Sequence, residues 1–144
     1  MFFQLEGLPP STNQSLLVAN GRLIHSPKAR TYRQETEEAV QRQLDQLLRL
    51  FPSTSKELKD LEGEPLFAQI KYYSTWTTKA DKCRKKDVCN LEKLLLDSIF
   101  SILKKNGFAL DDSQIYLCLL AKHDAVDGNE KTEVQINTQS KFRF

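Results

Sequence analysis

Aspartates and lysines in this chain fall at spacings suited to metal-assisted work on a phosphodiester. Asp87 follows directly on a cationic run, Lys93 comes six residues later, and Asp111-Asp112 lies beyond an intervening helical pattern. Mg²⁺ commonly binds through one or two carboxylates, keeps several waters, and takes its other ligands from substrate phosphate. Such an ion polarises a phosphoryl oxygen and activates a water for attack. A lysine one turn inside the helix start can meet the scissile phosphate or the charge that develops on it. The same residues also have plainer readings. Asp111-Asp112-Ser113 suits a turn, Asp87 suits a helix N-terminus, and Lys93 suits an i,i+4 pair with Asp97. Spacing alone leaves both open.

The elements that must position these groups are legible in outline. Phe3 and Leu5 alternate with Gln4 and Glu6, a first strand over about residues 2–7. Leu16–Ala19 and Leu23-Ile24 flank the turn pair Asn20-Gly21, a small hairpin flap. Ser26-Pro27 opens an amphipathic helix that runs to about Leu50 and stops before Pro52. Residues 52–64 read as a polar connector. Leu66, Ala68, Ile70 and Tyr72 alternate with polar or aromatic neighbours in a strong strand toward Trp76. Leu91, Leu94, Leu95, Ile99, Ile102 and Leu103 make the next helical stripe, closed by Lys104-Lys105-Asn106-Gly107. As a helix, residues 90–106 rise ~25 Å, enough to carry the chain back toward the strand ends. Ile115–Ala121 reads as a buried central strand, Asp127-Gly128 as a hairpin turn, and Thr132–Thr138 as a last strand. The order β-α-β-α-β-β predicts one α/β (α+β) domain over residues 1–144: a two-layer sandwich with two main helices on a small mixed sheet.

Composition narrows the function. The net charge of the 144 residues is only +2, so nucleic-acid binding must rest on local clustering. That clustering exists: Lys79, Lys82, Arg84, Lys85 and Lys86 stand against the single acid Asp81. A solvated loop is the plain alternative. No apolar run approaches a membrane span, and the first residues do not look like a signal peptide. Three cysteines without zinc spacing suggest reduced thiols and a cytoplasmic setting. Two histidines in different halves offer no metal set of their own. Trp76 reads as core, with Tyr73 beside the basic loop. Lys28, Arg30 and Arg33 can touch phosphates or simply face water.

Three segments together carry a resemblance: Pro9-Pro10-Ser11-Thr12-Asn13, the stretch Asp87 to Lys93, and Phe108-Ala109-Leu110-Asp111-Asp112-Ser113-Gln114-Ile115. They resemble the RusA family of Holliday junction resolvases over about Leu5 to Ile136. The resemblance implies a small homodimeric, Mg²⁺-dependent endonuclease that cuts branched, four-way DNA, and a setting beside the nucleoid. It places the family's first catalytic aspartate on Asp87, its lysine on Lys93, and its later aspartate on Asp112 with Asp111 beside it. The ligands implied are Asp87, Asp112 and Asp111, with Lys79–Lys86 along the DNA backbone. The second aspartate of the family's pair falls on Cys89. A thiol is soft and, with a free pKa of ~8.5, mostly protonated at neutral pH, so it suits Mg²⁺ poorly. Asp97, two turns beyond Cys89, and Glu92, on another face, are both expected to be poor replacements. The rival expectations are a module of the same fold that grips junctions without cutting them, and a small interaction protein with solvated charged loops.

Overall fold

The computed structural model describes residues 1–84, 88 and 91–139, leaving aside the side chains of Thr12 and Asn13. Asp87, Cys89, Lys85, Lys86 and the tail Phe142-Arg143-Phe144 therefore lie outside the described residues.

The helices begin where the local chemistry says they should. Ser26 caps α2 (Pro27–Leu50) by accepting the Ala29 amide at 3.1 Å, and Pro27 takes the first helical position. Ala29, Thr36, Val40 and Leu44 make its buried stripe. The second long helix, α4 (Glu92–Lys105), buries Leu95, Ile99 and Leu103 completely. Just before it, Val88 packs against the core and accepts the Leu91 amide. Two shorter helices are α1 (Thr12–Ser15) and α3 (Thr54–Asp60). The latter lies in the segment expected to be a polar connector. With only Leu58 and Leu61 reaching the core, its apolar stripe is too sparse to be read from sequence.

Four strands form a mixed sheet: β1 (Phe2–Glu6), β4 (Leu66–Ser74), β5 (Ile115–Asp124) and β6 (Lys131–Thr138), in the order β1-β6-β4-β5. β4 pairs antiparallel with β6 and parallel with β5, the pair that α4 connects. Along β4, Leu66, Ala68, Ile70, Tyr72 and Ser74 are buried while the alternate residues are only half-buried. The core therefore lies between one sheet face and α2 with α4, a two-layer α/β sandwich.

Two expectations are corrected here. Ile115–Ala121 belongs to an edge strand, not a central one: β5 has β4 on one side only, and Tyr116, Leu117 and Leu119 are exposed. Asp127-Gly128 does not close a hairpin, because β6 crosses β4 to pair on its far side. An apolar run looks alike whether one face or two are covered, so neither point was readable locally. The remaining strands, β2 (Leu16–Ala19) and β3 (Arg22–His25), pair only with each other, around Asn20 and Gly21 with φ of 51° and 72°.

Candidate active site

The corner that presents Asp111 and Asp112 begins at the end of α4. Gly107, with φ of 87°, donates to the Lys104 carbonyl, and Phe108 donates to Leu103 across the same turn. This paired motif needs the left-handed residue that glycine supplies. Phe108 and Leu110 then turn into the core and fix the chain direction. Asp111 caps a single 3-10 turn, Asp112–Gln114. Its Oδ1 accepts the Ser113 amide at 2.9 Å, and Gln114 Oε1 accepts the Asp111 amide at 2.8 Å, a reciprocal cap. The Gln114 amide group also donates to the carbonyls of Leu61 and Glu64, each at 3.0 Å, which ties the corner to the approach of β4.

The two adjacent aspartates are chemically unlike. Asp111 Oδ2 takes an ion pair from Lys104, which together with the Ser113 amide holds its carboxyl well below the usual range. Both its oxygens thus accept a hydrogen bond, one from Lys104 and one from the Ser113 amide. Asp112 is solvent-accessible and goes the other way. Partial desolvation, then hydrogen bonding to Asp97 and Asp111 and the charges of both, push its carboxyl upward.

Asp97 is the residue expected to be a poor replacement for Cys89. Its distance from Cys89 was the reason to discount it, yet α4 brings it, half-buried, within hydrogen-bonding reach of Asp112. The signal available was its i,i+4 relation to Lys93, which puts both on one helix face. That spacing suggested an ion pair, but none joins them among the described residues. Lys93 is exposed, one turn N-terminal to Asp97. The Glu92 charge acts on Tyr72 and Cys118, and its Oε2 is buried with no hydrogen-bond partner among the described residues. Burial and that charge push the Cys118 thiol up to about 11.

The basic segment has architecture of its own. After Trp76, which is buried and donates its indole N–H to Tyr72 O at 2.9 Å, the chain doubles back. Thr77 bridges Cys83, Arg84 N donates to Trp76 O at 2.8 Å, and Thr78 N donates to Lys82 O at 2.8 Å. The Asp124 carboxylate accepts the amides of Trp76 and Thr77 at the base. Lys79, Lys82 and Arg84 all stand exposed on this small loop. Of the other cations considered, Arg33 is held by Glu37 at 2.9 Å, while Lys28 and Arg30 face solvent. The two sequence-predicted histidines stay apart; His123 stacks on Tyr73 with centroids 5.1 Å apart.

Whether the donor set suits a divalent ion can be judged on Asp112 and Asp97. Two carboxyl groups in contact offer several hard oxygens and accumulate negative charge that a small dication relieves. They fit such an ion. No group of three or more His, Cys, Asp or Glu able to hold a metal occurs among the described residues, and Asp87 lies outside them. No helix among the described residues is long and apolar enough to cross a membrane.

A two-layer fold with a framed acidic corner and a raised basic loop is the equipment of a phosphodiester-directed protein. Comparison with known families agrees: the family model described as Endodeoxyribonuclease RusA matches residues 6–137. The chain belongs to the RusA family, endodeoxyribonucleases that act on branched DNA junctions and generally depend on divalent metal. Among curated proteins, none matches the chain.

Proposed function

We propose that this chain is a Mg²⁺-dependent, structure-selective endodeoxyribonuclease that cuts four-way DNA junctions as a homodimer. The observation that carries the reading is Asp112, an accessible carboxyl beside Asp97 at a corner held by the Asp111–Gln114 cap. Asp112 and Asp87 would hold the ion, with Asp111 tied to Lys104 beside them. When bound, the ion supplies Lewis acidity at the phosphodiester and a nucleophile at neutral pH.

The chain's own groups do the rest. Lys93, exposed on the first turn of α4, directs an ammonium at the phosphate next to the acidic pair. Lys79, Lys82 and Arg84, with Lys85 and Lys86 after them, bind backbone phosphates, which gives affinity without sequence information. The homodimer is supported by the β2–β3 hairpin, whose Leu16, Leu17, Val18, Leu23 and Ile24 are all exposed. An apolar patch of that kind on a family of two-fold substrates suits a second copy.

Cys89 makes a test necessary. A synthetic four-way junction is incubated with Mg²⁺ and the native chain, beside Cys89→Asp. Cleavage by the native chain supports the proposal. Binding without cleavage, rescued by the aspartate, replaces it with a junction-binding module of the same fold. Loss of junction binding even at low salt overturns both.

A further inference from the structure

We infer that Asp124, the last residue of β5, is a positioning residue for DNA binding: it sets how the cationic loop stands on the sheet. Its role depends on the phosphate-binding reading of that loop and adds to it a group that meets no phosphate itself. The loop closes on its own. Asp81 donates its amide to the Thr78 carbonyl at 2.9 Å, Thr78 N donates to Lys82 O at 2.8 Å, and the Thr78 hydroxyl accepts the Lys82 amide at 3.2 Å. Asp81, with φ of 55°, takes the left-handed position that so tight a return needs and that aspartate tolerates. These bonds shape the loop but do not aim it. Its root does. Trp76 is buried there, and Asp124 Oδ1 alone accepts the Trp76 amide at 2.9 Å, the Thr77 amide at 3.2 Å and the Thr77 hydroxyl at 3.3 Å. Successive amides converging on one carboxylate oxygen make an anion nest that the chain fills itself. The sheet fixes the carboxylate from behind: Ser74 pairs with Asp124, and Ala125 N donates to Ser74 O at 2.9 Å. With this acid engaged by the backbone, Lys79, Lys82 and Arg84 make no ion pair among the described residues, which leaves their charge to phosphates.

The test is a gel shift of the full chain on a synthetic four-way junction without divalent metal, across a salt series. Tryptic cleavage after Lys79, Lys82 and Arg84 reads the order of the loop directly. Asp124→Ala is expected to bind about tenfold more weakly at low salt, with the slope of log affinity against log salt reduced by about 2, since ~0.9 goes with each lost phosphate contact. Cleavage within the loop should quicken in the same variant. Asp124→Asn retains an acceptor oxygen for the two amides and should keep most of the wild-type affinity and slope. Epistasis separates this role from a merely structural one: in a chain carrying Lys79→Gln, Lys82→Gln and Arg84→Gln, adding Asp124→Ala should lower affinity no further. A further loss in that background, or wild-type affinity and slope in Asp124→Ala alone, overturns the inference and leaves the endonuclease reading standing. If the Ala variant fails to fold, Asp124→Ser, whose oxygen sits one bond closer to the backbone, is judged by the same readouts. A triple-Gln chain that binds junction as wild type does takes the loop off the DNA path and removes its phosphate-binding reading and this inference together.

Discussion

The corner at Asp111–Gln114 and the β2–β3 hairpin are opposite kinds of structure. In the corner the Gln114 side chain alone makes three hydrogen bonds, and Phe108 and Leu110 anchor the approach from below. In the hairpin almost every side chain faces out, apolar ones included, and the tie to the body runs through Ser26, whose amide and hydroxyl donate to Ser15 and Gln14 carbonyls. One region is completed by its own chain. The other has the composition of a surface meant to be covered. On the proposed reading, acid chemistry, which needs preorganised groups, falls to the first, and assembly, which needs uncovered apolar area, falls to the second.

This contrast can be broken most decisively at Asp112. On the proposed reading, in which its carboxylate holds the ion, Asp112→Asn is expected to lower junction cleavage by about 10²–10⁴-fold. Junction binding measured without divalent metal should remain near wild type. Equal loss of both would mean that the corner holds the fold or the DNA rather than the ion. On the other side, Val18→Lys with Leu23→Lys should weaken self-association by about 10²-fold in sedimentation while leaving the circular dichroism spectrum unchanged. An unaltered dimer would place the interface elsewhere, with the exposed edge of β5 the next surface to alter.

A smaller effect sharpens the account of the corner itself. Gln114→Ala removes three hydrogen bonds and should cost about 2 kcal/mol in denaturant unfolding. A change under about 0.5 kcal/mol would show that the core residues position the corner unaided. The smallest expected effect has the opposite sign. Tyr72 is fully buried and its hydroxyl has no hydrogen-bond partner among the described residues. Tyr72→Phe should therefore stabilise the chain by about 1 kcal/mol. Destabilisation would reveal a partner for that hydroxyl.

What the sequence announced was mostly local chemistry. Ser26-Pro27 and Gly107 mark helix ends because capping depends on residues a few positions apart, and Asn20-Gly21 marks the hairpin for the same reason. The alternation of β4 was equally plain, because a central strand with one covered face must show period two. Strand order was hidden: Ile115–Ala121 carries no sign of which edges are paired. The short helix at Thr54–Asp60 was hidden because two leucines do not make a stripe. Around the acidic corner, the motif named Asp112 and Lys93 as candidates. It was silent on Asp97, since which carboxyl lies opposite a helix face is settled only when the helix docks.

The parallel pairing of β4 with β5 has a consequence for the length of DNA engaged. Asp112 precedes the first residue of β5, whereas the basic loop rises beside Asp124 at its last. Ten residues of strand span roughly 30 Å at ~3.3 Å each. On the proposed reading, with the strand length as the upper bound of the separation, a duplex arm touching both the cationic loop and the acidic corner of one protomer would extend over at most about eight to nine base pairs at 3.4 Å per step. Trimming junction arms below that length should abolish the salt-sensitive part of the affinity, measured by gel shift across an arm-length series, while arms of a full helical turn retain it.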